Sequence, residues 1–179
     1  MRIFFFLVFT AVLPGMTEAQ QWRGAGSVSF ISDAPLEKIT ASSEELRGII
    51  DMEKRTFAFT FPVSTFEGFN SPLQKEHFNE HYLETKEFPN ATFTGVLIGT
   101  EEICAGECEL EMYAKGKMTI HGITVLMTIP VRIEVKPSEW RASGEFYVAL
   151  SDHGIGIPKI LEAKIATEIA VSVAVMFKP

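Results

Sequence analysis

Apolar and polar residues alternate along most of this chain. From Glu109 to Ile120, Leu110, Met112, Ala114, Gly116, Met118 and Ile120 share one face of an extended strand. Glu109, Glu111, Tyr113, Lys115, Lys117 and Thr119 share the other. The same period of two returns in Val125, Met127, Ile129, Val131, Ile133 and Val135, and again from Trp140 to Leu150 and from Ile165 to Phe177. It is also present in Phe57, Phe59, Phe61 and Val63. A period of two with one apolar face predicts half-buried strands. Fainter runs at about 22–31, 36–43, 46–52 and 91–100 bring the total to about eight or nine strands. Turn signals at Asp33-Ala34-Pro35, Ala105-Gly106, His121-Gly122 and Pro137-Ser138 imply short antiparallel connections. No helix-rich layer is available to cover the apolar face, so the sheet must close into a barrel or fold into a sandwich.

One segment breaks the rhythm. Ser71 can cap a helix, with Pro72 at its first position and Gln74 three residues after the cap. Leu73, His77, Phe78, Tyr82 and Leu83 then recur at helical spacing, which predicts a short helix over about 71–83. Pro89 ends it and pushes Phe88 into extended backbone. A second helical turn is expected at about 158–162, in Pro158-Lys159-Ile160-Leu161-Glu162.

The first nineteen residues stand outside this pattern. Arg2, an apolar run from Ile3 to Leu13, and Thr17-Glu18-Ala19 ahead of Gln20 have the layout of a secretory signal peptide. The apolar run is too short to span a bilayer, which needs about 20 residues. The expected product is one domain, 20–179, periplasmic or secreted, with no integral membrane segment. Removing Arg2 and Glu18 leaves the net charge at −7. An acidic domain is a poor match for nucleic acid or an anionic membrane surface. A homodimer is compatible with everything in the sequence.

Candidate chemistry is sparse. His77 and His81, at i and i+4 in HFNEH, could face one metal ion, but Phe78 stands where a zinc-protease base would be. Cys104 and Cys108 can close a disulfide across Ala105-Gly106-Glu107 or remain thiols; the CxxxC spacing differs from thioredoxin-like CxxC. Asn90-Ala91-Thr92 reads as the start of a strand before it reads as a glycan acceptor. Asp152-His153-Gly154 reads as a turn. No catalytic constellation emerges, and neither an enzyme activity nor a cofactor is expected. What remains is a greasy interior: Phe57, Phe59, Phe61, Phe93, Phe146 and Phe177 on inward faces, with Met112, Met118 and Met127 among them. Such residues line apolar ligand cavities. They also fill ordinary cores, and composition alone favours the filled core.

Two stretches carry a resemblance. HFNEHYLETKEFPNATFTG, with Phe88-Pro89 and Ala91-Thr92-Phe93, resembles the helix-to-strand segment of the YceI-like family. AKGKMTIHGITVLMTIPV is similar to that family's strand-turn-strand, with Gly116, Thr119, His121, Gly122 and Thr124 matching. Met118 stands where Leu is usual, and Val125 where a basic residue is common. The resemblance extends over essentially all of 22–178. It implies an all-β, extended eight-stranded antiparallel β-barrel, lipocalin-like, with the helix as a lid or buttress. It also implies a bound isoprenoid, quinone-like or other long-chain lipid in the interior. The residues expected to meet that ligand are Phe57, Phe59, Phe61, Phe78, Tyr82, Phe93, Met112, Met118, Ile129 and Phe146. The alternatives are a metal-binding or redox-linked stress protein built on His77 and His81, and a filled barrel acting through its surface.

Overall fold

The computed structural model describes residues 21–100 and 106–178. The leader and Cys104 therefore lie outside the described residues. Eight antiparallel strands follow one another around a closed barrel: β1 (Gln21–Asp33), β2 (Lys38–Asp51), β3 (Thr56–Pro62), β4 (Asn90–Ile98), β5 (Cys108–Ile120), β6 (Ile123–Val135), β7 (Trp140–Ala149) and β8 (Glu168–Lys178). Each pairs with its predecessor, and β8 returns to β1, with Val28 opposite Val173. Closure leaves the barrel no free outer strand, which is how an antiparallel sheet with one wet face avoids edge-to-edge pairing.

The two runs expected at 36–43 and 46–52 are one strand, β2. Opposite them the register slips: Val28 faces Ser43 but Gly26 faces Leu46. One extra residue on β2 at Glu44-Glu45 is a β-bulge, and it shifts the inward set from odd to even numbers. Ile39, Ala41 and Ser43 are buried before it, Leu46 and Ile50 after it. The alternation looked broken because its parity changes there.

The strands run between two unlike ends. At one, Trp22 of β1 stacks on Trp140 of β7 with ring centroids 4.4 Å apart. Phe177, Leu110, Met112, Val135 and Met52 pack with them as buried core. Gly24 makes room: a Cβ there would come within 2.6 Å of the Phe177 ring. This end is filled.

Two long connections cross the other end, 63–89 and 150–167. In the first, Ser71 Oγ accepts from Gln74 N at 3.2 Å and caps helix α1 (Pro72–His77). The Gln74 side chain accepts from Asn70 N instead of returning to the cap residue. The helix then widens into a π turn over Phe78–Tyr82, with Leu83 N donating to Phe78 O. The i→i+5 hydrogen bond brings Leu83 round to the face of Phe78 and Tyr82, which α spacing would not do. Phe78 stacks on Phe30 at 5.7 Å and packs against Phe66 and Phe69. The helical segment ends at Tyr82, in keeping with the span of about 71–83 expected from the sequence. In the second connection, Lys159–Leu161 forms a single 3-10 turn at the expected place.

Candidate ligand cavity

The barrel is hollow above its tryptophan floor. A cavity of about 550 Å³ runs from the level of Phe177 to the crossing connections. Its wall draws on every strand. Phe57, Phe59 and Phe61 come from β3, Phe93 from β4, Met118 from β5, Ile129 from β6 and Phe146 from β7; Phe78 and Tyr82 reach it from the π turn. Met112 is buried but does not line the cavity. It belongs to the filled end, where a Cβ at Gly99 would come within 3.2 Å of its side chain. Ring contacts bind the wall together, Phe57 against Phe93 at 4.9 Å and Phe59 against Phe177 at 6.0 Å. Tyr82 lines the cavity, and partial burial pushes its phenol above the ordinary range.

Several lining residues were missed in the sequence. Phe30 lies on β1, where glycines and serines blur the alternation. Ile155, Ile157, Leu161 and Ile165 come from the 150–167 connection. That stretch reads as turn and helical turn, yet its isoleucines were the available signal: an irregular segment with so many apolar residues must cover something.

Polar groups on the wall gather at the crossed end. Glu37 Oε1 accepts from Gln74 Nε2 at 3.0 Å and from Asn70 Nδ2 at 3.3 Å. Ser32 Oγ accepts from Ala166 N at 2.9 Å. These bonds tie the β1–β2 turn to both connections. Leu73, Ser71, His77 and Lys164 line the cavity and are also exposed, so the cavity opens there.

His77 and His81 are both exposed, with ring centroids 5.3 Å apart and planes tilted by 53°. Among the described residues no group of three His, Cys, Asp or Glu gathers around them or elsewhere as a metal site. Cys108 is disulfide-bonded. His121 and Gly122 form the β5–β6 turn with φ of 50° and 71°, the positive pair of a type I′ hairpin. The His121 ring packs edge-on to Phe88 at 4.8 Å, its Nε2 lies 2.7 Å from Glu84 Oε2, and its Nδ1 lies 3.1 Å from His153 O. The two stretches that carried the resemblance thus meet: Phe88 of one clamps against His121-Gly122 of the other. They anchor the helical connection to the barrel.

Fold and site together define a β-barrel that encloses an apolar cavity under a helical cover. The chain belongs to the YceI-like domain family, whose model matches residues 23–177. No curated protein sequence matches the chain. Among solved structures, BcnA of Burkholderia cenocepacia superposes with a TM-score of 0.71 at 16% identity, covering 84% of this chain and 95% of that one. A polyisoprenoid binding domain from Saccharophagus degradans, implicated in plant cell wall breakdown, gives 0.72 at 12% identity, covering 90% and 99%. The YCEI protein of Campylobacter jejuni gives 0.53 at 14% identity, covering 97% and 92%. At these identities the likeness is one of fold.

Proposed function

We propose that this protein is an exported carrier that holds one isoprenoid or other long-chain apolar ligand inside its barrel. The observation that carries the reading is the cavity itself: about 550 Å³, walled chiefly by aromatic and aliphatic side chains, with its charged groups, Glu37 and Lys164, at the open end. A hollow of that size falls within the range of small-molecule sites. Its interior offers desolvation and few hydrogen bonds, which suits a ligand with a long apolar chain and a polar end left at the mouth. Family membership and the polyisoprenoid-binding neighbour support the ligand class. The leader-like residues 1–19 support export, as does the bonded state of Cys108, which an oxidising compartment permits. The protein's role is binding, with no catalysed reaction.

The test is native mass spectrometry of protein purified from its own host, followed by organic extraction and metal analysis of the same sample. An extractable apolar mass near one per chain is expected. An empty protein that takes up no isoprenoid in vitro would refute the reading. Stoichiometric metal without lipid would return attention to His77 and His81.

A further inference from the structure

We propose that the open end of the barrel docks on the surface of a lipid bilayer by inserting three aliphatic side chains, Leu36, Leu73 and Ile160. All three are large, apolar and far out in water: 74%, 57% and 87% exposed. They sit on three different elements, the β1–β2 turn, helix α1 and the 3-10 turn of the 150–167 connection. Hydrogen bonds hold these elements together. Leu36 N donates to Ala163 O at 2.8 Å, and Glu37 beside it accepts from Gln74, the neighbour of Leu73. Each tip is stiffened by a proline at or near its start: Pro35-Leu36, Pro72-Leu73 and Pro158-Lys159-Ile160. A pre-ordered apolar tip loses less conformational freedom on insertion.

The location identifies the partner. Leu73 lines the cavity and also stands at the surface, so the apolar rim is continuous with the apolar wall. The proposal rests on the carrier reading in this respect: a long-chain ligand leaving the cavity through bare water would expose its chain. A rim seated in the boundary between headgroups and acyl chains joins two apolar phases directly. Charge does not drive the contact. The chain carries −7 overall, and the rim mixes Lys38, Lys159 and Lys164 with Asp33, Glu37 and Glu162. Apolar insertion into neutral lipid is therefore the mode, and a weak, reversible association is its consequence.

The experiment is flotation of the full protein with phosphatidylcholine vesicles, comparing the parent with the double variant Leu36→Ser, Ile160→Ser, which leaves the cavity-lining Leu73 in place. Uptake of farnesol from solution is measured in parallel. The parent is expected to float with the vesicles, insensitive to added salt. The variant should lose at least tenfold in vesicle partitioning while its thermal melt and farnesol affinity stay unchanged. A parent that does not float, or a variant that floats equally well, overturns the proposal. So does binding that needs anionic lipid and vanishes in salt, or a rim substitution that acts by splitting a dimer on a sizing column. Farnesol uptake without vesicle binding refutes docking alone; vesicle binding without farnesol uptake refutes the carrier reading alone.

Discussion

The hollow can be made smaller without touching the frame. Ala114 lies on β5 between its cross-strand neighbours Leu97 and Ile129, and all three line the cavity. At roughly 30 Å³ per heavy atom, taken from the volume share of water, a cavity of about 550 Å³ holds roughly 18 atoms of ligand. Ala114→Phe adds about six carbons and, on the same scale, removes roughly a third of that space. A chain of 15 to 20 carbons, a length roughly matched to the cavity, then leaves about six CH₂ equivalents in water, at about 0.8 kcal/mol each, or ~5 kcal/mol. That is an upper bound of about three decades in Kd, since each decade is about 1.4 kcal/mol. An isoprenoid of roughly ten carbons still fits within the remaining space and should lose less than about tenfold. The added ring enters void instead of packed core, so the unfolding midpoint should hold or rise. The assay is competitive displacement of a fluorescent fatty probe by geraniol, farnesol and geranylgeraniol, with urea unfolding in parallel. If folded Ala114→Phe binds geranylgeraniol as tightly as the parent, the ligand does not occupy this cavity and the volume argument fails.

Three further predictions address other parts of the barrel. Phe59→Glu or Phe146→Glu places a carboxylate on the apolar wall and should abolish loading; a folded variant that still copurifies with its apolar ligand would remove these positions from the site. Trp140→Ala breaks the stack with Trp22 and should cost about 3–5 kcal/mol of stability, read by urea unfolding, with ligand affinity nearly unchanged because neither tryptophan lines the cavity. Asp51 is held below the ordinary carboxylate range, chiefly by the hydrogen bond from Lys54 N at 2.9 Å and then by the Lys54 side chain. A depressed folded pKa stabilises above the unfolded value and is lost as pH falls through the folded one. The stability gap between parent and Asp51→Asn should therefore be present at neutral pH and close below about pH 4, as followed by thermal melts.

Much of this architecture was legible because period-two alternation is a direct record of which face is buried. The long runs of β5 to β8 could be read residue by residue, and so could the capped start of the helix at Ser71-Pro72. Two kinds of feature were not. The bulge at Glu44-Glu45 changes the parity of β2, so a local count sees two short strands. In the π turn Phe78 packs on Phe30, far along the chain, and on Phe66 and Phe69 of the loop before the helix, partners that no helical spacing announces. Inward direction was legible for Met112; its depth in the barrel was not, and depth decides whether an inward residue fills or lines.

Depth also explains how one sequence makes a floor and a hollow from the same alternation. At the floor two closures are short, the Asp51-to-Thr56 turn and the Val135-to-Trp140 turn, and Trp22, Trp140, Met52 and Phe177 fill the space across the axis. At the other end the strands are joined through 63–89 and 150–167, which lie across the opening. The β6–β7 ladder ends at Val131 opposite Gly144, next to Pro130, which has no N–H to continue it. From there up the two strands no longer pair. The gap is bridged by the 150–153 turn, where buried His153 places its Nδ1 3.1 Å from Ile123 O. Above the floor the inward side chains line a cavity and do not meet across the axis. The isoleucines of the 150–167 connection and the Phe78–Leu83 face therefore cover the space without occupying it. Substitutions at the floor should then change stability and spare binding, while substitutions higher on the wall change binding and spare stability. The contrast between Trp140→Ala and Ala114→Phe measures that division in one protein.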